Sequence, residues 1–168
     1  GNNNLVKIYL PKTIEKINTE AFYDCENLEQ ITIPENTKFI GENAFNDCSS
    51  LTKITLPNGL EQIAHSTFEN CENLLSIELP KSVKSIGSNA FRNKSVNQIT
   101  LSSTCMSIGD SAFYGCNSLY SISNLTSLTT IGEYAFYNCT SLRNMSSLPN
   151  LTTIGNNAFY NCTSLQNM

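Results

Sequence analysis

Tryptophan is absent from this chain, and histidine occurs once, at His65. Chemistry that needs a histidine pair, a histidine-based triad or a histidine-rich metal site is therefore excluded. Charge is also scarce. Only 14% of the 168 residues are charged, and the net charge is −4. A polyanion binder needs a clustered basic face, so nucleic acid is not an expected partner. Apolar residues make up 40% of the chain, which argues against disorder. No apolar run reaches the length of about 18 residues that a spanning helix needs, so direct membrane insertion is not expected. After residue 100 the charged residues are only Asp110, Glu133 and Arg143, amid many Asn, Ser and Thr.

What is present is a repeat. Phe stands at 22, 45, 68, 91, 113, 136 and 159, with gaps of 23, 23, 23, 22, 23 and 23. An Ile precedes each Phe by five residues, from Ile17 to Ile154. Six of the seven cysteines follow a Phe by three: Cys25, Cys48, Cys71, Cys116, Cys139 and Cys162. The one short gap lies at Phe91–Val96, where a residue and the Cys are both missing. Cys105 falls on a position held elsewhere by Ile14, Leu60, Val83, Leu128 and Leu151, so it reads as a core residue.

Each unit begins Leu-x-x-Ile-x-Leu, which predicts short strands over 28–33, 51–56, 74–79 and 96–101. Pro11, Pro34, Pro57 and Pro80 stop them. The segment Ile-Gly-x-x-Ala-Phe-x-x-Cys predicts a short helix or 3-10 turn. A single unit cannot bury its apolar side, whereas stacked units can, with parallel strands about 4.8 Å apart. The strand pattern changes at Ile122-Ser123-Asn124 and Met145-Ser146-Ser147, which lack the Leu-Pro ending, so the loop is expected to run differently there.

Leu51-Thr52-Lys53-Ile54-Thr55-Leu56-Pro57 and Ile40-Gly41-Glu42-Asn43-Ala44-Phe45-Asn46-Asp47-Cys48 resemble the BspA-like leucine-rich repeat, over nearly the whole chain. The resemblance implies an α/β, right-handed leucine-rich-repeat solenoid of about seven 23-residue repeats. A parallel sheet would form one face and short helices or 3-10 turns the other. Residues 1–168 then form a single domain. Neither end shows a polar capping unit, so the chain is expected to be part of a longer array. The resemblance also implies a cell-surface or secreted protein of host-associated bacteria or parasitic protists. Its partner would be a host extracellular protein or glycan, or another cell-surface protein. A structural spacer projecting another domain is the alternative. No catalytic residue, metal or cofactor is expected.

Three rows of residues are candidate sites. The cysteine column reads as buried, reduced thiols, with disulfides between neighbours as the alternative. The exposed strand face holds Gln30, Lys53 and Gln98, and is either simply solvated or a polar, glycan-binding surface. The residue after each Phe includes Tyr114, Tyr137 and Tyr160 in succession. These rings either pack on one another or offer an aromatic strip to a sugar or a protein. His65 beside Ser66 reads as a surface residue, since no third group completes a catalytic set. Asn-x-Ser/Thr sequons occur at Asn93, Asn124, Asn138, Asn144, Asn150 and Asn161.

Overall fold

The computed structural model describes residues 1–92 and 95–167. The sequon at Asn93 lies outside the described residues. The chain is a parallel-strand solenoid of about six turns. The seven repeats expected from the phenylalanines are not all complete. Phe45, Phe68, Phe91, Phe113 and Phe136 are fully buried, while Phe22 and Phe159 at the two ends are only partly covered.

Two rows of short strands run along the solenoid. The first is the expected one: β2 (Gln30–Thr32), β4 (Lys53–Thr55), β7 (Gln98–Thr100), β9 (Ser121–Ser123) and β11 (Asn144–Met145). Single bridges extend it through Lys7, Ser76 and Asn167. The central Ile or Met of each strand is buried and the residues beside it face outward, as the period-two pattern requires. The second row comprises β1 (Lys16–Ile17), β3 (Phe39–Ile40), β5 (Gln62–Ile63), β6 (Ser85–Ile86), β8 (Ser107–Ile108), β10 (Thr130–Ile131) and β12 (Thr153–Ile154). All eight strand pairs are parallel, and each joins neighbouring coils in register, Ile on Ile or on Met145.

The expected short helices are corrected. No helix, α or 3-10, occurs among the described residues. The Ala-Phe-x-x-Cys segment is instead a chain of tight turns. In the first coil, Ala21 N–H donates to Asn18 O, Tyr23 to Glu20 O, and Cys25 to Phe22 O. The alternate N–H groups cross to the next coil: Glu20 to Glu42 O, Phe22 to Ala44 O and Asp24 to Asn46 O, at 2.8–2.9 Å. Wherever both positions are described, the residue two before the Phe and the residue two after it hold positive φ. Examples are Glu20 (59°) and Asp24 (56°), Asn43 (54°) and Asp47 (61°), and Asn157 (55°) and Asn161 (59°). A right-handed helix needs negative φ at every residue, so these positions forbid it. Asn, Asp and Gly115 occupy most of them because those residues tolerate the left-handed region best.

The core is a set of stacked ladders. Successive Phe rings lie 5.2–5.7 Å apart with interplanar angles of 4–19°. Burial stabilises each enclosed ring by about 1.5–3 kcal/mol. Where the Leu-Pro ending is lost, the loop does differ. Asn124 adopts φ 65° and donates its side-chain amide to Leu101 O at 2.7 Å.

One coil breaks the regularity. In the Gly column, Gly41, Gly87, Gly109, Gly132 and Gly155 each donate N–H to the Ile carbonyl of the preceding coil at 2.7–2.8 Å. A Cβ on any of them would fall 2.4–2.7 Å from backbone or side-chain atoms of that coil. The third coil has Ala64 in this column, and it is buried. Among the described residues, the bond from Ala64 N–H to Ile40 O is absent, and β3 does not pair with β5. A cleft of about 400 Å³, lined by Lys38, Phe39, Ile40, Gly59, Leu60, Glu61 and Gln62, opens there. The first row breaks one step later, between Lys53 and Ser76, where Leu75 N–H turns to Asn73 O in its own coil. The turn side stays bonded through both breaks: Phe45 donates to Thr67 O and Phe68 to Ala90 O, each at 3.0 Å.

Candidate functional site: the outward rows of the solenoid

The cysteine column is a hydrogen-bond ladder. All seven cysteines are free thiols. Cys48, Cys71, Cys116, Cys139 and Cys162 each direct Sγ to the carbonyl of the Phe in the preceding coil, at 3.0–3.1 Å. The carbonyls of Phe22, Phe45, Phe113 and Phe136 already accept the turn N–H of their own coil, so the thiol uses the second lone pair there. Burial raises the thiol of Cys48 to about 12, and those of Cys105 and Cys162 to about 11. Cys71 and Cys139 are pushed well above their ordinary value by the same desolvation. These thiols are held neutral, which suits a structural column and not a nucleophile.

The tyrosine row closes on itself. Tyr114 and Tyr137 stack at 4.8 Å with an interplanar angle of 5°, and Tyr137 and Tyr160 at 4.8 Å and 11°. Arg92 covers the far end, its guanidinium carbon 4.9 Å from the Tyr114 ring centre, and is paired with Glu69 at 3.7 Å. Tyr134 meets Tyr137 edge-on. Desolvation, followed by the neighbouring phenols, raises the Tyr137 hydroxyl above its ordinary value. The row thus shows solvent its ring edges and hydroxyls. With Arg92 over the outer face of Tyr114, the outer face of Tyr160, which is 56% exposed, has no stacking ring among the described residues.

The strand face is divided by the break after Lys53. Gln30 and Lys53 face each other directly across β2 and β4. Gln98 lies in the other block, and its side-chain oxygen accepts the Tyr120 hydroxyl at 2.6 Å. The structure therefore brings Gln30 and Lys53 together and leaves Gln98 separate. Gln30 and Lys53 line a groove of about 660 Å³ with Lys7, Tyr9, Lys12, Thr32, Thr55 and Glu35. Lys7 sits 4.9 Å over the Tyr9 ring, and Tyr9 is 82% exposed. The sequence reading did not single out Lys7, Tyr9 or Lys12 as site residues. The available signal was the strand-face row itself, with cations at Lys7 and Lys53 and no carboxylate before Glu78.

His65 is exposed and Ser66 is buried at φ 50°. Among the described residues, no group of three or more His, Cys, Asp or Glu side chains is placed to hold a metal ion.

Stacked in-register strands, one inward Leu/Ile/Phe set per coil and tight turns between them define a leucine-rich-repeat solenoid. More narrowly, the chain belongs to the BspA type leucine rich repeat region, whose model matches six copies over residues 1–120 and 84–168. Among solved structures it is similar to the T. pallidum leucine rich repeat protein, at 30% identity and TM-score 0.88, over 94% of this chain and 76% of that one. It is also similar to a leucine-rich repeat protein from Bacteroides ovatus, at 32% identity and TM-score 0.69, over 84% of this chain. A leucine rich cell surface protein from Faecalibacterium prausnitzii matches at 31% identity and TM-score 0.68, over 94% of this chain. The chain spans 43% and 51% of the last two proteins. No match was found among curated proteins.

Proposed function

We propose that this chain is a non-catalytic binding segment of a cell-surface or secreted protein, and that it adheres to a host extracellular protein or glycan. The observation that carries this reading is the inward filling of the coils by Leu, Ile and Phe, which leaves polar and aromatic residues on the outward strand-face and tyrosine rows. Supporting it, the family is one of bacterial leucine-rich repeat proteins, and one similar structure is named a cell surface protein. The three tyrosines, and Gln30, Lys53 and Gln98, are the proposed contact residues.

A binding array of matrix proteins, mucins and glycans tests it. The chain is compared with two folded variants, Tyr114→Ala/Tyr137→Ala/Tyr160→Ala and Gln30→Ala/Lys53→Ala/Gln98→Ala. A ligand lost in either variant supports adhesion and assigns the row. A folded chain that binds nothing on the array refutes the adhesive reading. The stacked, rigid Phe column favours a spacer as the second reading, in which the segment holds another domain away from the surface.

A further inference from the structure

We propose that the groove over the first three strand-face positions binds an acidic polysaccharide, a reading that rests on the surface-binding role above and specifies its site and ligand. The groove runs along Lys7, Gln30 and Lys53, which are consecutive partners in one parallel ladder. At a strand spacing of about 4.8 Å, the backbone positions of Lys7 and Lys53 stand about 10 Å apart along the solenoid axis. Lys12 adds a third positive charge at the rim.

Lys7, Lys12 and Lys53 take part in no ion pair among the described residues. The ion pairs among the described residues are Lys84–Glu61 and Arg92–Glu69, both elsewhere. The groove's one carboxylate, Glu35, accepts the Asn58 N–H at 3.1 Å and the Asn58 amide at 3.3 Å. A chain of net charge −4 therefore carries a locally cationic trough, which selects an anionic ligand.

The chemistry of the walls favours a sugar over an acidic peptide. A peptide that adds as a strand needs a free sheet edge, but the groove floor is a sheet face whose central strand, β2, is bonded on both sides. A peptide held by its side chains needs several desolvated anchors such as Trp, Tyr or Arg, and the groove lining holds one such residue, Tyr9, which is 82% exposed. It offers instead the amide of Gln30 and the hydroxyls of Thr32 and Thr55, all outward-facing, which match hydroxyl-rich ligands. Tyr9 supplies one open ring face for a sugar ring, its other face being covered by Lys7.

The test uses the whole chain and four immobilised probes: polygalacturonate, dextran sulfate, neutral dextran and polyglutamate. The proposal expects polygalacturonate or dextran sulfate to bind, and to weaken as salt rises. The two probes separate carboxylate from sulfate recognition. Lys7→Gln/Lys53→Gln is expected to lower affinity at least about tenfold, and Tyr9→Ala to lower it for the glycans but not for polyglutamate. Lys81→Gln, on the opposite side of the strand break, is the control and leaves binding unchanged. Equal binding of all three polyanions, insensitive to Tyr9→Ala, would reduce the groove to an ion exchanger and overturn the proposal. So would undiminished binding by the double lysine variant. If the array finds a ligand that survives the lysine substitutions, the adhesive role stands while this groove assignment fails.

Discussion

Replacing Ala64 with Gly should stabilise this protein, although the same exchange usually destabilises one. The reason is the register of the Gly column. On Gly87 a Cβ would lie 2.7 Å from the Ala64 carbonyl carbon and 2.8 Å from His65 N, so the column leaves no room for a methyl group. Ala64 puts one there, and at that coil the bond to Ile40 O and the β3–β5 pair are both missing among the described residues. With the methyl removed, the second row can close. Two or three inter-coil bonds return, including the counterpart of Lys84 N–H to Glu61 O, each contributing about 0.5–1.5 kcal/mol. The added backbone freedom of glycine costs about 0.5–1 kcal/mol. The net gain is about 0–4 kcal/mol, centred near 2, and each kcal/mol raises the melting temperature by about 2–4 °C for a chain of this size. Calorimetry reads the shift, and hydrogen exchange reads new protection at residues 61–64. A loss of about 0.5–1 kcal/mol with unchanged exchange would show glycine acting through the unfolded chain alone, and would refute the steric account of the seam.

The converse substitution, Gly109→Ala, puts a Cβ 2.7 Å from Ser88 N and should open a second seam at a cost of about 1–3 kcal/mol, read as lost amide protection at Gly109. Phe113→Ala empties a fully buried site between Phe91 and Phe136 (5.4 and 5.2 Å away) and should cost about 3–5 kcal/mol in denaturant unfolding. The folded Cys48 thiol keeps its proton to about 12, against an ordinary 9.0, because burial disfavours the thiolate. Unfolding releases that proton from about 9 upward, so the contribution is complete below 9.0 and is lost as pH rises towards about 12. Melting temperatures measured from pH 8 to 11 should fall through this window, and less steeply in Cys48→Ala. At pH 8, a thiol reagent should label the native chain far more slowly than the unfolded chain, Cys162 first because it is the least buried of the column.

The period of 23 residues, the inward Ile, Phe and Leu rows, the first strand row and the place of Cys105 in the core were all written in the sequence. Each is a local pattern repeated often enough to be unambiguous. The turn segment was not legible in the same way. Ala-Phe-x-x-Cys is too short for its apolar spacing to separate a helix from linked turns. The deciding feature is positive φ two residues before and two residues after the Phe, signalled only by the Asn and Asp that recur at those positions. Other consequences exist only once the coils are stacked. Parallel register lays like on like, so Tyr114, Tyr137 and Tyr160 spend their ring faces on each other and offer a ligand mainly edges and hydroxyls. The same superposition turns one methyl group at Ala64 into a break between two strands 23 residues apart, and it gathers Lys7, Gln30 and Lys53 into one trough while leaving Gln98 beyond the break. Composition and spacing determine that such a solenoid forms. Which outward residues meet is set by contacts across coils, between atoms that no local stretch of sequence brings together.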